Sequence, residues 1–229
     1  MGMRIRTIRR SWAAALVVAV VASTYVLPGA AQAAEDSYSS IFTTTDPRFT
    51  GAGWSTCPTP ITWSVDASAL TPAQARDQVA NIRWALDQWS KASGLRFAFA
   101  GEERLKFDEA RFTLRNGAAP RERHIAVSFL PDRTTDRLTS TTVGLGSPSS
   151  VLASRNEITT GTAIFSSGYI RTADRRDSRA LILHELGHVL GLGHTKDASQ
   201  VMADLVDGRL ALGPGDVAGV RALAKTCAT

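Results

Sequence analysis

The chain has 229 residues, of which 44% are hydrophobic and 21% are charged, and its formal net charge is +5. This length suffices for one substantial domain, and the sequence shows no internal repeat and no second domain. Most of the net positive charge lies in residues 1–33, which contain four arginines and no acidic residue, so the rest of the chain is close to neutral. Because no element carries clustered lysine and arginine, a nucleic-acid-binding surface is excluded.

Residues 1–33 have the features of a secretory signal peptide. An arginine-containing segment precedes an apolar run at residues 13–27, and residues 31–33 (Ala-Gln-Ala) provide a small-x-small cleavage site. The run is shorter than the ~20 residues of a membrane-spanning helix and is followed by a Pro-Gly pair. We therefore expect cleavage after Ala33 and a secreted protein with no stable membrane association. The arginine pair at residues 9 and 10 leaves both the general secretory and the twin-arginine export routes open.

The mature chain is expected to begin with an irregular segment. Residues 34–56 are rich in serine, threonine and glycine, and we expect them to form a short extended leader. The domain itself is expected to occupy residues 57–229. Its first strand is predicted at residues 61–65, where apolar and polar β-forming residues alternate.

A long helix is predicted next, with signals at both of its ends. Thr71 is its N-cap, Pro72 occupies the first helical position, and Gln74 completes a capping box. Gly94 is expected to end the helix. Its buried face consists of apolar residues at helical spacing, namely Val79, Ile82, Leu86 and Trp89.

The rest of the chain alternates predicted elements with less regular segments. The remaining elements are strands at residues 95–99, 124–130 and 159–169 and helices that begin near Ser178 and at Pro214. Residues 101–122 are charged, and residues 131–150 are rich in loop-forming residues, so neither segment is expected to form regular structure. His124 lies on the polar face of its strand, and we expect it to be an ordinary strand residue.

The stretch LILHELGHVLGLGH, residues 181–194, contains three of the four histidines of the chain. His184 and His188 are one helical turn apart on one face, so they can bind one ion together. Glu185 is turned about 100° away from His184, which suits a base acting on an ion-bound water. Gly191 and the next glycine, Gly193, accept a left-handed backbone, so the chain can turn and bring His194 to the same ion. Three imidazoles with one open position are typical of a catalytic zinc site.

The spacing H-E-x-x-H-x-x-G-x-x-H is similar to that of the metzincin proteases, and the order of elements over residues 57–229 resembles the matrixin catalytic domain. This resemblance implies an α/β (α+β) fold, with a twisted mixed sheet packed on two long helices and a C-terminal helix. It implies a zinc-dependent endopeptidase, in which Glu185 is the general base for a zinc-bound water. The expected cofactor is one catalytic Zn²⁺, held by His184, His188 and His194.

The resemblance also implies roles for residues outside the zinc motif. Met202 would form a turn beneath the metal, and Asp216 would accept hydrogen bonds from that turn. Residues 159–165 resemble the edge strand of the family, so an extended peptide substrate would pair along Ala163 by β-addition. Ala203 and Leu205 are expected either to form an apolar, uncharged wall of the pocket that follows the scissile bond, or only to pack against the last helix.

The chain departs from the matrixin pattern at two places. Matrixins usually follow the methionine with an aromatic residue and a proline, whereas Ala203 and Asp204 stand here. The second, structural zinc of the family uses histidines before the active helix, and no histidine lies between residues 124 and 184, so we expect that zinc to be absent. Asp132 and Asp136 could contribute to a calcium site, although two loop carboxylates are usually only solvated.

Several alternatives stay open at this point. Cys57 and Cys227 are expected to form a disulfide, since cysteines in even number usually pair in an oxidising compartment. The competing possibility is that a Cys57 thiolate plugs the zinc in a latent form. For function, the alternatives are a zinc-retaining binding module without proteolysis, which the intact Glu185 disfavours, and a zinc hydrolase of a non-peptide amide. We expect a monomer that acts on a protein or peptide substrate.

Overall fold

The computed structural model describes residues 37–119 and 121–227. Its strands are β1 (Ser39–Ser40), β2 (Ile61–Asp66), β3 (Phe97–Glu102), β4 (Lys106–Asp108), β5 (Thr113–Arg115), β6 (His124–Leu130), β7 (Gly144–Leu152), β8 (Glu157–Ser166) and β9 (Leu192–Gly193). Its helices are α1 (Phe42–Thr45), α2 (Pro72–Ser93), α3 (Ser167–Thr172), α4 (Arg175–Val189) and α5 (Pro214–Leu223), and a 3-10 turn spans Pro47–Phe49. The predicted signal peptide, residues 1–33, lies outside the described residues.

A five-stranded mixed sheet forms the centre of the fold, in the order β3-β2-β6-β8-β7. All neighbouring strands are parallel except β7, which runs antiparallel to β8. The long helices α2 and α4 pack against each other, and α4 also packs on the sheet. The predicted α/β class, with a mixed sheet and two long helices, is therefore confirmed.

The prediction that residues 159–165 form the edge strand is wrong. These residues belong to β8, which is hydrogen-bonded to β6 on one side and to β7 on the other. Ala163 is fully buried between Val127 and Gly146, so it offers no free backbone edge. The edge strand on this side of the sheet is instead β7, in the segment that was expected to be a loop.

Strand β7 and the hairpin β4–β5 have no sequence pattern of alternating apolar residues. The sequence of β7 is GLGSPSSVL, and its pairing with β8 is interrupted by two register shifts near Pro148 and Ser150. The hairpin β4–β5 lies within the charged region 101–122, which was expected to be irregular. In both cases pairing with a neighbouring strand creates regular structure that local composition does not indicate.

The helix α2 has the ends that the sequence predicts. Thr71 Oγ1 accepts a hydrogen bond from the Gln74 N–H, and Gln74 Oε1 accepts one from the Thr71 N–H. Gly94 terminates the helix with φ of +77°. Near its end, Trp89 Nε1 donates to the Leu183 carbonyl oxygen at 3.0 Å, which ties α2 to α4.

The helix α4 is buried from residue 180 to residue 189, because α2 covers one side of it and the sheet covers another. It begins at Arg175, three residues before the predicted start. Asp174 caps it by accepting a hydrogen bond from the Asp177 N–H at 2.8 Å. This enclosure holds the side chains of α4 in fixed directions, which favours a precise site.

Residues 37–56 do not form a leader separate from the domain. Phe42, Ala52 and Trp54 belong to the main hydrophobic core. Trp54 Nε1 donates to the Val189 carbonyl oxygen at the end of α4, at 2.9 Å. Strand β1 pairs antiparallel with β9. The predicted boundary at residue 57 therefore does not separate two structural units.

Cys57 and Cys227 form a disulfide that joins the segment before β2 to the segment after α5. The predicted pairing is confirmed, and the thiolate plug is contradicted because Cys57 has no free thiol. Among the described helices, none is both long enough and apolar enough to cross a membrane.

Candidate metal centre and active site

Three imidazole nitrogens converge on one point beside α4. His184 and His188 lie one turn apart on this helix, and His194 follows β9. Nε2 of His194 lies 3.2 Å from Nε2 of His184 and 3.0 Å from Nε2 of His188. Nitrogen atoms that bind one zinc ion at about 2.0–2.1 Å in tetrahedral geometry are about 3.3 Å apart, so the observed separations fit this ion.

The other ring nitrogens show why a cation fits this cluster. His184 Nδ1 donates to the Val201 carbonyl oxygen and His188 Nδ1 donates to the Leu192 carbonyl oxygen, each at 2.8 Å. A neutral imidazole with its proton on Nδ1 carries a lone pair on Nε2. Lone pairs that face each other at this distance repel unless they share a cation. The hydrogen bonds therefore fix the proton of each ring on Nδ1 and leave the Nε2 atom unprotonated, as a metal ligand must be.

Burial keeps the two helical imidazoles neutral. Desolvation lowers the pKa of His184 to about 4 and the pKa of His188 to about 3. A metal ligand must be unprotonated, so both rings are competent at neutral pH. Within the described residues, the cluster of potential ligands consists of these two histidines and His194. Three protein ligands leave one coordination position open, as in catalytic and not structural zinc sites.

A left-handed residue allows the third histidine to reach the cluster. Gly191 has φ of +103°, a conformation that favours glycine, and its N–H donates to the His188 carbonyl oxygen at 2.9 Å. The chain then enters β9 and returns His194 to the metal centre. Gly193, which was expected to share the left-handed turn, instead lies in β9 opposite Ser39.

Glu185 is buried beside the histidines and against the start of β7. A Cβ atom on Gly144 would lie 3.1 Å from Glu185 Oε1, which shows how closely the carboxyl group approaches this strand. Burial raises the pKa of Glu185 to about 8, against the smaller lowering effect of a hydrogen bond from the Gly146 backbone. A carboxyl group whose pKa is raised is a stronger base, when ionised, than an exposed carboxylate.

A sequence profile of the matrixin family matches residues 53–224, which include every element from β2 to α5. The chain belongs to the matrixin family. This finding confirms the predicted resemblance. Matrixins are zinc-dependent endopeptidases, so the family supports a metalloprotease that acts on protein or peptide substrates. Comparison with curated proteins gave no match.

In this matrixin, a turn after the third histidine contacts the histidine cluster through the Val201 carbonyl oxygen. Met202 is buried in that turn, and a side chain on Gly187 would clash with the Met202 sulfur. Asp216, in the first turn of α5, accepts hydrogen bonds from the N–H groups of Val201 and Met202 at 2.6 and 3.0 Å. Because the Val201 carbonyl oxygen also accepts a hydrogen bond from His184, this turn orients one of the three clustered imidazoles.

The metal centre of the matrixin opens into a cleft of about 770 Å³ between β7 and α4. The cleft is lined by residues 141–146, by one face of α4 and by the loop after Met202. Leu205 lines it and is 82% exposed. Ala203 does not, because it is buried and forms an isolated β-bridge with Thr195. Of the two positions that were expected for Ala203, the one in the pocket wall therefore does not fit this structure, whereas Leu205 does border the cleft. Ala163, along which the substrate was expected to pair, lies in the doubly paired strand β8.

Sequence reasoning missed several polar residues of the cleft. Asp204, Asp177 and Tyr169 line it together with the apolar Leu181 and Val206. The wall after Met202 is therefore not free of charge, contrary to expectation. Asp204 occupies the position at which the family proline was expected. This departure from the family pattern was the sequence feature that could have identified Asp204 as a residue of the cleft. The other two residues carry no motif.

The remaining candidate residues lie outside the cleft. Asp132 accepts hydrogen bonds from the Ser166 hydroxyl and from the Gly168 N–H, at 2.8 and 3.2 Å. Among the described residues, neither it nor Asp136 belongs to a cluster of three potential metal ligands. His124 is buried in β6 and is hydrogen-bonded through both ring nitrogens to hydroxyl groups of β2.

Proposed function

We propose that this matrixin is a secreted zinc endopeptidase in which Glu185 is the general base. The observation that carries the proposal is the convergence of three Nε2 atoms, open on one side, beside a buried carboxyl group. A non-catalytic zinc module would need neither the open position nor this carboxyl group. The disulfide supports secretion, because disulfides persist in oxidising compartments.

The residues of the proposed active site have separate roles in peptide-bond hydrolysis. His184, His188 and His194 would hold the zinc ion. When bound, zinc supplies Lewis-acid chemistry, since it polarises the scissile carbonyl and lowers the pKa of a water molecule. Glu185 would accept the proton of the attacking water and deliver it to the amide nitrogen as the C–N bond breaks. The products are a carboxylate and an amine.

We propose that an extended substrate lies along β7. Within the described chain, β7 pairs with β8 only, so its other edge is free for β-addition. Residues 144–146 of this strand line the cleft, together with His184 and Glu185. A peptide paired there would pass the metal centre, which favours positioning of one peptide bond for attack.

The side chain that follows the scissile bond would enter the part of the cleft beyond the metal. Its apolar surface comes from Leu181 of α4 and from Leu205 and Val206 of the following loop. Tyr169 and Asp177 line the same cleft. We therefore propose a preference for a medium or large apolar side chain at this position, as the apolar surface can cover it.

The test is digestion of casein by the purified mature chain, with and without a chelator. A zinc endopeptidase releases peptides, stops when the chelator removes the metal, and recovers when zinc is restored. A binding module would leave casein intact under every condition. A hydrolase of non-peptide amides would also leave casein intact, but it would cleave small amide substrates in a chelator-sensitive manner.

A further inference from the structure

The third imidazole of the metal centre differs from the other two in its environment. The Nδ1 atoms of His184 and His188 donate to backbone carbonyl groups in the interior. His194 has a side chain that is 47% exposed, and its Nδ1 lies 3.4 Å from Asp204 Oδ1. A carboxylate oxygen therefore lies near Nδ1 of the exposed ring, at a longer distance than the 2.8 Å that separates the carbonyl oxygens from the buried rings.

The backbone brings this pair together independently of the side chains. Thr195, which follows His194, forms a β-bridge with Ala203, which precedes Asp204. The Thr195 N–H donates to the Met202 carbonyl oxygen at 2.9 Å. Each member of the pair is therefore one residue away from a fixed contact between the two segments. The approach of Asp204 to the ring follows from this bridge.

The chemistry of histidine ligands gives this contact a role. A histidine that binds a metal through Nε2 keeps its proton on Nδ1, and an acceptor at Nδ1 fixes the ring orientation and increases the basicity of Nε2. An exposed ring without such an acceptor can rotate about its side-chain bonds, and this freedom must be lost when the metal binds. A carboxylate also places negative charge close to the bound cation.

We infer that Asp204 is a positioning residue, which orients His194 and strengthens zinc binding. This inference rests on the proposed metal site. It does not assign Asp204 contact with the metal or with substrate. Because the pair is exposed and therefore screened by solvent, its effect should lie near the lower end of the range that such partners show.

The test compares zinc affinities of full-length mature variants, measured by competition with a chromophoric chelator. We expect Asp204→Ala to raise the Kd for Zn²⁺ about tenfold. Asp204→Asn should raise it less, because its amide oxygen can still accept a hydrogen bond but carries no charge. The matched control is Asp207→Asn, in the same loop, whose carboxylate pairs with Arg209 and not with a histidine. Its Kd should be unchanged.

Two further readouts separate orientation from general structure. Replacement of zinc by cobalt should give altered visible absorption bands in Asp204→Ala, while the Tm of the metal-free protein stays the same. An unchanged Kd in both Asp204 variants, or an equal loss in the Asp207 control, would overturn the inference. A raised KM with normal zinc affinity would also overturn it, because Asp204 would then act on substrate. Failure of the wild-type chain to bind zinc would instead refute the proposed metal site and this inference with it.

Discussion

Asp216→Ala is expected to lower the free energy of unfolding by about 3–5 kcal/mol. The buried carboxylate accepts hydrogen bonds from the N–H groups of Val201, Met202 and Gly213, at 2.6, 3.0 and 2.8 Å. Each N–H group left buried without an acceptor costs about 1–3 kcal/mol. Burial raises the pKa of Asp216, so ionisation of this group lowers the stability of the folded wild-type chain at pH values above the ordinary pKa of an aspartate. The alanine variant does not carry this unfavourable contribution, which offsets part of its loss.

The assay is urea unfolding at neutral pH in the presence of a chelator, so that metal binding does not contribute. Asp216→Asn should cost less, about 1–3 kcal/mol, because the amide keeps one acceptor oxygen while its NH₂ group faces a backbone donor. Asp136→Asn, at an exposed position, is the control and should leave the unfolding midpoint unchanged. A loss below about 1 kcal/mol for Asp216→Ala would refute the reasoning, since it would mean that the three N–H groups find other partners.

Three further predictions concern other parts of the molecule. Replacing both Cys57 and Cys227 by serine should lower the free energy of unfolding by about 2–5 kcal/mol, since the disulfide spans 170 residues; an unchanged urea midpoint would contradict this. Burial lowers the pKa of His124 from 6.5 to about 4, so the wild-type chain should lose about 1–3 kcal/mol of its free energy of unfolding as the pH falls from 6.5 to 4. In His124→Gln, the free energy of unfolding should depend less steeply on pH over this range. Val206→Trp should shift the preference after the scissile bond toward small side chains, and an unchanged peptide-library profile would show that Val206 does not border that pocket.

The features that the sequence predicts well are those set by local chemistry. The capping box of α2 needs only Thr71 and Gln74 at the right spacing, and both hydrogen bonds are present. The histidine cluster follows from the helical period and from one left-handed glycine, Gly191. In each case the determining residues lie within about ten positions of one another, so the pattern is visible without tertiary information.

The features that sequence reasoning missed depend on contacts between distant segments. Strand β7 is rich in glycine and serine, and it is a strand because it pairs with β8. Trp54 packs in the main hydrophobic core, and its Nε1–H is satisfied by a carbonyl oxygen of the distant α4. The position of Ala203 is set by its bridge to Thr195, and that of Asp204 follows from the same bridge. No local pattern signals such partners.

The central claim is that Glu185 transfers the proton beside a metal held by three histidines. The most direct measurement is the kcat of Glu185→Ala and of the isosteric Glu185→Gln on a peptide substrate, at confirmed equal zinc content. We predict one zinc per chain in both variants and the wild-type protein, with kcat at least about 100-fold lower in the variants. If either variant at full zinc occupancy kept a tenth or more of the wild-type kcat, Glu185 would not be the base.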